Sequence, residues 1–255
     1  MLLGTSVGRT EPSDFDRYQI VTPHNAFKIL HVVEFENEWK FELPDRFVQF
    51  CQDWGKKPRG HCLLWHRNIP KWVLQSPDIE GVLKHYVQTM VARYPQVYAW
   101  DVLNEPVADN GDFRESLITP YLEKAFYWAH EINPEAKLFL NDYRPMLVDK
   151  WANILDWCQK ARDRGVPIHG IGVQHHHRLR KVLVEGVFGW RQSRDVAKKI
   201  VEAEFICEFT ENSVVDEGLP IPNAEQLTLN FYKSLENIAR GEGVSSFTYW
   251  RGHLD

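Results

Sequence analysis

The sequence predicts an α/β fold, a single closed (β/α)8 TIM barrel, and three observations lead to it. Eight short strand-like apolar runs alternate along the chain with longer stretches of helical spacing, a pattern typical of a parallel sheet covered by helices. The 255 residues are close to the roughly 250 of a typical barrel of this kind. No linker, low-complexity segment or charge block divides the chain, so we expect one domain over residues 1–255.

The predicted strands and helices follow one another in a regular order. Strands are predicted at 2–6, 19–24, 59–65, 97–103, 136–141, 168–174, 204–208 and 245–250. Amphipathic helices are predicted between most of them, at 43–54, 78–93, 114–132, 147–164, 191–201 and 224–240. The first connection, about residues 7–18, is too short for an ordinary helix, and the sequence stops five residues after Trp250. We therefore expect a minimal first connection and no helix after the eighth strand.

Composition and charge argue against several classes of function. A net charge of −5 and a pI near 6.1 provide no basic surface for nucleic acid or anionic lipid. No apolar run approaches the ~18 residues of a membrane span, and residues 1–5 lack the basic start of a secretory leader, so the compartment is left open. The four cysteines show no C-x-x-C spacing, which argues against a zinc or redox pair. No G-x-G-x-x-G follows the first strand, so no dinucleotide cofactor is expected.

Polar and aromatic residues collect where the predicted strands end. In a parallel barrel the catalytic side chains lie at the carboxyl ends of the strands, on one rim. Those ends carry amides, carboxylates, imidazoles and indoles: Asn25 and Lys28 after strand two, His61 and Trp65 on strand three, Asn104 and Glu105 at strand four, Gln174 and His176 at strand six, Glu208 on strand seven, and Trp250 after strand eight. Neutral polar groups match sugar hydroxyls and flat indoles match the apolar faces of sugar rings. The rim therefore has the composition of a carbohydrate site.

Two carboxylates, Glu105 and Glu208, stand at the ends of strands four and seven, which face each other across a closed barrel. Glycoside hydrolysis needs such a pair, one to protonate the leaving oxygen and one to attack the anomeric carbon or activate water. On strand seven, Glu202 and Glu204 fall toward the opposite rim, and Glu211 lies a little beyond, in the loop, so we favour Glu208. A separation of about 5–5.5 Å between the two carboxyl groups would indicate a retaining mechanism.

Several segments share an order and spacing with one enzyme family. Residues 59–72 read RGHCLLWHRNIPKW, residues 100–105 read WDVLNE, residues 141–143 read NDY, residues 170–176 read GIGVQHH, and residues 206–209 read ICEF. Together they resemble glycoside hydrolase family 10, the endo-β-1,4-xylanases, over about residues 20–255. The first segment is similar to the family's strand-three signature and is highly specific, whereas the Asn-Glu pair of the second is shared with other barrel glycosidases. The last segment resembles the nucleophile strand, where the family usually has Thr-Glu-Leu.

The resemblance implies a retaining endo-1,4-β-xylanase that binds xylan and xylo-oligosaccharides, needs no metal or other cofactor, and is secreted. It implies Glu105 as acid/base and Glu208 as nucleophile. Asn104 would hydrogen-bond the sugar 2-hydroxyl beside the cleaved bond, and His176 would support the nucleophile. The remaining substrate-binding residues implied by the resemblance line the glycone subsites or, for the last of them, stack a sugar: Asn25, Lys28, His61, Trp65, Gln174 and Trp250.

The chain departs from the family pattern at four positions. His24 stands where the family usually has a Glu that binds hydroxyls of the distal sugar, which predicts altered affinity in that subsite. Cys207 replaces Thr before the predicted nucleophile, and Thr210 stands where an Asp often follows it. His175 replaces a small residue and is expected to narrow the cleft.

Three other interpretations are weighed against this one. The histidines at 175–177, with His61 and His66, suggest a metallohydrolase, but successive strand residues point to opposite faces and cannot all reach one metal. Activity that survives a chelator would exclude it. A barrel that binds glycans without cleaving them would release no reducing ends, and a different β-1,4-glycanase would prefer another polymer.

Overall fold

The computed structural model describes residues 1–8, 15–215 and 223–250, and its centre is a closed barrel of eight parallel strands in chain order. The strands are β1 Leu2–Val7, β2 Ile20–Pro23, β3 Lys57–Trp65, β4 Ala99–Asn104, β5 Lys137–Tyr143, β6 Gly170–Arg178, β7 Ile206–Val215 and β8 Ser246–Tyr249. The ring closes where β1 pairs with β8, from Leu2 opposite Ser246 to Thr5 opposite Tyr249. The predicted (β/α)8 fold is confirmed.

Helices follow the strands on the outside of the barrel. They are α1 Ile29–Val32, α2 Glu42–Asp53, α3 Lys71–Leu74, α4 Ile79–Arg93, α5 Leu122–Ile132, α6 Val148–Asp163, α7 Leu179–Glu202 and α8 Ala224–Gly241. The described part of the first connection holds only a 3-10 turn at Phe15–Arg17, as a minimal connection requires. Residues 9–14 of that connection and residues 251–255 lie outside the described residues. None of the described helices combines the length and apolar character that crossing a lipid bilayer requires.

Most predicted boundaries agree with the structure to within a few residues. In the first half of the barrel, α5 begins at Leu122, eight residues after its predicted start at 114, and no prediction covers the short helices α1 and α3. The other large differences lie in the second half. β6 and β7 extend to Arg178 and Val215, well past the predicted ends at 174 and 208. α7 begins at Leu179, twelve residues before its predicted start at 191. The four extra residues of β6 are three histidines and an arginine, and residues 210–213 in the extension of β7 are all polar. The apolar pattern that predicts a strand is therefore interrupted before the backbone pairing ends.

Apolar side chains fill the space between the barrel and its helices. Trp100 is fully buried, with Phe27 5.0 Å from its ring centre, and a Cβ atom at Gly60 would lie only 2.0 Å from the indole. Glycine at position 60 therefore permits β3 to pass close to this ring. Burial of such large side chains supplies the main stabilisation of the fold, and it fixes the strand ends that carry the polar residues.

His175 is a buried polar residue on β6 that packs outside the active-site rim. It is 1% exposed, and its ring lies 4.5 Å from that of Phe209 and 6.3 Å from that of His177. Burial lowers the pKa of His175 well below its ordinary value of 6.5, with a smaller contribution from His177. The folded protein therefore keeps the His175 ring neutral, whereas the same ring in the unfolded chain takes up a proton as the pH falls below 6.5.

We expect His175→Phe to reduce the acid sensitivity of folding. In the parent chain, the stability contributed by the neutral ring is complete above pH 6.5 and declines as the pH falls, by about 1.4 kcal/mol per pH unit. The variant should lose about 2 kcal/mol less than the parent between pH 7 and pH 5, as measured by urea denaturation. His85→Phe, at an exposed position, serves as the control. Equal acid sensitivity in the parent and in His175→Phe would contradict this account.

Candidate active site

Glu105 is the first residue after β4, and the turn of the chain there aims it into the barrel mouth. Its φ of 53° is left-handed, and its N–H donates to the Asn141 carbonyl oxygen at 2.8 Å. Its own carbonyl oxygen accepts from Nε of Arg114 at 3.1 Å. Trp65 Nε1 donates to the carboxyl Oε2 at 3.2 Å. Two backbone contacts and one side-chain contact therefore position this carboxyl group.

The environment of Glu105 favours its protonated form. Burial is the largest cause that raises the pKa of this carboxyl group above its ordinary value, and the charge of Glu211 is the second. Arg67, His176 and the Trp65 hydrogen bond oppose these effects without cancelling them. A carboxyl group with a raised pKa beside a second carboxylate is the arrangement that a general acid requires.

Glu211 lies on β7 and is held by three side chains from other strands. Asn141 Nδ2 donates to Oε1 at 2.8 Å, and His176 Nε2 lies 3.1 Å from Oε2. His61 Nδ1 lies 3.6 Å from Oε1. Burial alone would raise the pKa of Glu211, but the charge of His61 and the hydrogen bond and charge of His176 lower it to about 2. Glu211 is therefore ionised at any pH well above about 2.

Asn104, Asn141 and Gln174 form an amide cluster between the two glutamates. The Asn104 side-chain oxygen accepts from Asn141 Nδ2 at 3.0 Å and from Gln174 Nε2 at 2.9 Å. These two donors fix which end of the Asn104 amide is oxygen, so its NH2 group is the end left to donate. Asn141 accepts from the Glu105 backbone N–H and donates to the Glu211 carboxylate. Because the charge of Glu211 also raises the pKa of Glu105, the two carboxyl groups share one site.

Glu208 occupies a different place from the predicted one. Its carboxylate forms an ion pair with Arg59, and Tyr98 Oη and Ser245 Oγ lie 3.4 and 3.5 Å from its Oε1. Arg59 stands early in β3, while Tyr98 and Ser245 just precede β4 and β8. Glu208 therefore lies in the amino-terminal half of the barrel interior, opposite the catalytic rim. The prediction that Glu208 faces Glu105 is wrong, and Glu211 occupies that position.

A bulge in β7 explains the error. On the β6 side, Val173 pairs with Phe209 and the next residue, Gln174, pairs with Glu211, so β7 has one extra residue at this step. On the β8 side, β7 also has one extra residue, between Phe209 and Asn212. One extra residue reverses the alternation of faces along a strand. Glu208 and Glu211, three apart, therefore both contact side chains inside the barrel, and Glu211 lies within the strand rather than in a loop.

The sequence does carry a signal for Glu211. Thr210-Glu211 matches the Thr-Glu pair of the family's nucleophile strand better than Cys207-Glu208 does. When Glu211 is aligned with the family's nucleophile, Thr210 takes the place of the family's Thr. Cys207 then no longer replaces that Thr, and Thr210 no longer replaces the Asp that often follows the nucleophile. No comparable signal identifies Arg114, whose guanidinium bonds both Glu105 and the Tyr143 hydroxyl, because it stands nine residues downstream in a loop.

Lys28, Asn25 and Trp65 form a second cluster beside Glu105. Lys28 Nζ donates to Asn25 Oδ1 at 3.1 Å and lies 4.7 Å from the centre of a Trp65 ring. Trp65 in turn contacts Glu105. A cation over an indole face holds both groups in place. The structure thus brings these three predicted binding residues together, next to Glu105.

Trp250 is surrounded by imidazoles. Its ring centre lies 4.9 Å from that of His24, 5.4 Å from that of His61 and 6.5 Å from that of His176. The residue is 7% exposed, so only a small part of the indole is accessible. His24 also lies 2.9 Å from Ser6 Oγ through its Nε2. The stacking role of Trp250 stays a prediction.

The three-histidine run does not converge on one point. His175 packs against Phe209, His176 contacts Glu211, and the His177 ring lies 5.2 Å from Phe231 on α8. Within residues 1–8, 15–215 and 223–250, no group of three or more His, Cys, Asp or Glu side chains could hold a metal ion.

Comparison with known proteins identifies a family. The model described as Glycosyl hydrolase family 10 matches residues 9–250. Endo-1,4-beta-xylanase A of Caldicellulosiruptor sp. (strain Rt8B.4) is 35% identical over 275 residues, covering 94% of this chain and 40% of that protein. Beta-1,4-xylanase of Dictyoglomus thermophilum is 31% identical over 253 residues, covering 91% and 70%. The chain thus spans less than half of the first relative's length.

A solved structure agrees with the sequence comparison. The crystal structure of xylanase XynB from Paenibacillus barcinonensis, complexed with a conduramine derivative, superimposes with a TM-score of 0.86 at 28% identity. The superposition covers 98% of this chain and 83% of that chain.

Proposed function

The chain belongs to glycosyl hydrolase family 10, and on that basis we propose that it hydrolyses β-1,4-xylosidic bonds within xylan. The observation that carries the proposal is the pair formed by Glu105 and Glu211, a half-buried and a buried carboxyl group whose pKa values are displaced in opposite directions. Asn141 lies between them and bonds the Glu105 backbone and the Glu211 carboxylate. Oppositely displaced carboxyl groups supply an acid and a nucleophile at the same pH. The relatives named as xylanases support xylan as the polymer.

In the first step, the Glu211 carboxylate attacks the anomeric carbon while Glu105 donates its proton to the leaving glycosidic oxygen. The C–O bond breaks, and a covalent glycosyl-enzyme forms. In the second step, Glu105, now ionised, removes a proton from water, which displaces Glu211 and releases a sugar with the original configuration. Asn141 and His176 hold the two oxygens of Glu211 throughout.

The surrounding residues are assigned to substrate binding in the same proposal. The NH2 group of Asn104 donates to the 2-hydroxyl beside the cleaved bond, a contact that strengthens in the transition state. Glycone sugars contact the Lys28–Asn25–Trp65 cluster. They also contact Gln174, which bonds Asn104, and Trp250, which packs beside His61. The main role of His61 and His176 is to stabilise the negative charge of Glu211.

Proton NMR of the first product formed from a defined xylo-oligosaccharide tests the reaction and its stereochemistry together. We expect the β-anomer to appear first and to mutarotate later. An α-anomer appearing first would refute retention, and no release of reducing ends over a broad pH range would favour a glycan-binding barrel. Faster release from a β-1,4-glucan than from xylan would refute the assignment of the polymer.

We expect the alkaline limb of the pH profile to belong to Glu105. The raised pKa of this group means that kcat/KM falls as the pH rises through that value, because the leaving oxygen then lacks a proton donor. In Glu105→Ala, a xyloside with a dinitrophenyl leaving group should still form the glycosyl-enzyme, and that step should lose its alkaline limb. An unchanged limb in the variant would assign it to another residue.

A further inference from the structure

A line of charged side chains runs through the barrel interior from Glu208 to Glu211. Glu208 contacts Nη1 of Arg59, and Nη2 of Arg59 lies 2.6 Å from Asp101 Oδ1. Asp101 Oδ2 lies 3.0 Å from His61 Nδ1, and His61 lies 3.6 Å from Glu211. We call Glu208, Arg59, Asp101, His61 and Glu211 the buried charge chain.

The buried charge chain is shielded from solvent along its whole length. Each of its five residues is 5% exposed or less. In such an interior, opposite charges in contact interact far more strongly than on the surface, and dissolved salt screens them little. A change of charge at one end therefore alters the electrostatic environment of each successive member.

We propose that Glu208 is a positioning residue for the nucleophile, acting on Glu211 through Arg59, Asp101 and His61. The inference rests on the proposed role of Glu211. Arg59 carries a single positive charge and contacts two carboxylates. While Glu208 is ionised, it neutralises Arg59 and leaves Asp101 Oδ2 to hold His61 through Nδ1, the atom that also faces Glu211. When Glu208 is neutral, Asp101 becomes the one counter-ion of Arg59 among the five residues of the buried charge chain. Asp101 then holds His61 less strongly, and His61 stabilises the Glu211 carboxylate less.

Each end of the chain faces further polar groups that the experiment must hold constant. At the lower end these are the hydroxyl groups of Tyr98, Ser245 and Ser246. At the upper end these are Glu105, Asn141 and His176. Replacing the carboxylate of Glu208 by an amide removes its charge and alters none of these groups, which makes Glu208→Gln the appropriate variant.

The test follows the Glu211 carboxyl group directly, by carbon-13 NMR of the 255-residue chain labelled at glutamate carboxyl carbons. Its signal is assigned from the resonance that disappears in Glu211→Gln. In Glu208→Gln the titration midpoint of Glu211 should rise by about one pH unit, and the acid limb of kcat/KM on a xylo-oligosaccharide should move toward neutral pH by the same amount. Glu208→Asp keeps the charge at a greater distance and should give a smaller shift in both measurements.

Glu202→Gln is the matched control, because Glu202 is a surface glutamate whose side chain is 61% exposed. It should change neither measurement. If Glu208→Gln does not fold, Glu208→Asp carries the test. An unchanged Glu211 midpoint in the folded variants would overturn the proposal and reduce Glu208 to a structural ion pair. The midpoint is read without substrate, so an inactive parent protein would refute the proposed function while leaving this measurement intact.

Discussion

Glu211→Ala should lower kcat on a xylo-oligosaccharide by at least about four orders of magnitude, as does removal of a nucleophile in other covalent mechanisms. The side chain is the ionised carboxylate held by Asn141 and His176, so without it the anomeric carbon has no nucleophile in reach. The Ala side chain also leaves space where a small anion can bind. Added azide should then restore turnover and give a glycosyl azide of inverted configuration, which NMR detects.

Glu208→Gln is the matched comparison, since it replaces the other inward glutamate of β7. It should keep most of the parent activity near neutral pH and gain nothing from azide, because Glu208 pairs with Arg59 far from Glu105. The reverse pattern, with azide rescue in Glu208→Ala and normal activity in Glu211→Ala, would restore the assignment first made from the sequence. Far-ultraviolet circular dichroism of both variants must match the parent, so that lost activity reports chemistry rather than unfolding.

The barrel could be predicted because its signal is repeated eight times along the chain. Each strand is an apolar run between amphipathic helices, and an error at one boundary does not alter the count. The same logic placed Glu105, Asn104 and Trp65 at the barrel rim, since each stands at or just after the end of a strand. Residues that depend only on strand order are therefore predictable.

The proposed nucleophile, Glu211, could not be placed by the same logic, because its position depends on a bulge. Strand alternation assumes one residue per pairing step, and β7 breaks that assumption after Phe209. Contacts across the barrel are equally invisible to a pattern along the chain. The pairing of Glu208 with Arg59, which are 149 residues apart, is a property of three-dimensional closure, and it converts an apparent catalytic carboxylate into an internal counter-ion.

Lys150→Met should cost about 3–5 kcal/mol of unfolding free energy, the usual effect of leaving a buried charge without its partner. Lys150 Nζ lies 2.6 Å from Asp142 Oδ1, and both side chains are fully buried. Burial raises the pKa of Asp142 to about 6, and Lys150 limits the rise. Asp142 Oδ2 also accepts from the Val107 N–H at 3.1 Å, two residues beyond Glu105. The variant should therefore also lose kcat, through the loop that carries the acid.

The pH dependence of Lys150→Met distinguishes a lost ion pair from a packing defect. Without the cation, the folded-state pKa of Asp142 rises further above its ordinary value of 3.8, so the folded form binds a proton that the unfolded chain releases. Stability then falls as the pH rises through the folded-state pKa, and the loss should be larger at pH 8 than at pH 5 in urea titrations.

Lys160→Met, on the exposed face of the same helix with its side chain 65% exposed, should change stability by less than about 0.5 kcal/mol. Asp142→Asn added to Lys150→Met should recover part of the loss, because it removes the unpaired charge and keeps an acceptor for Val107. Equal losses at both pH values, with no recovery in the double variant, would show that Lys150 acts through packing alone.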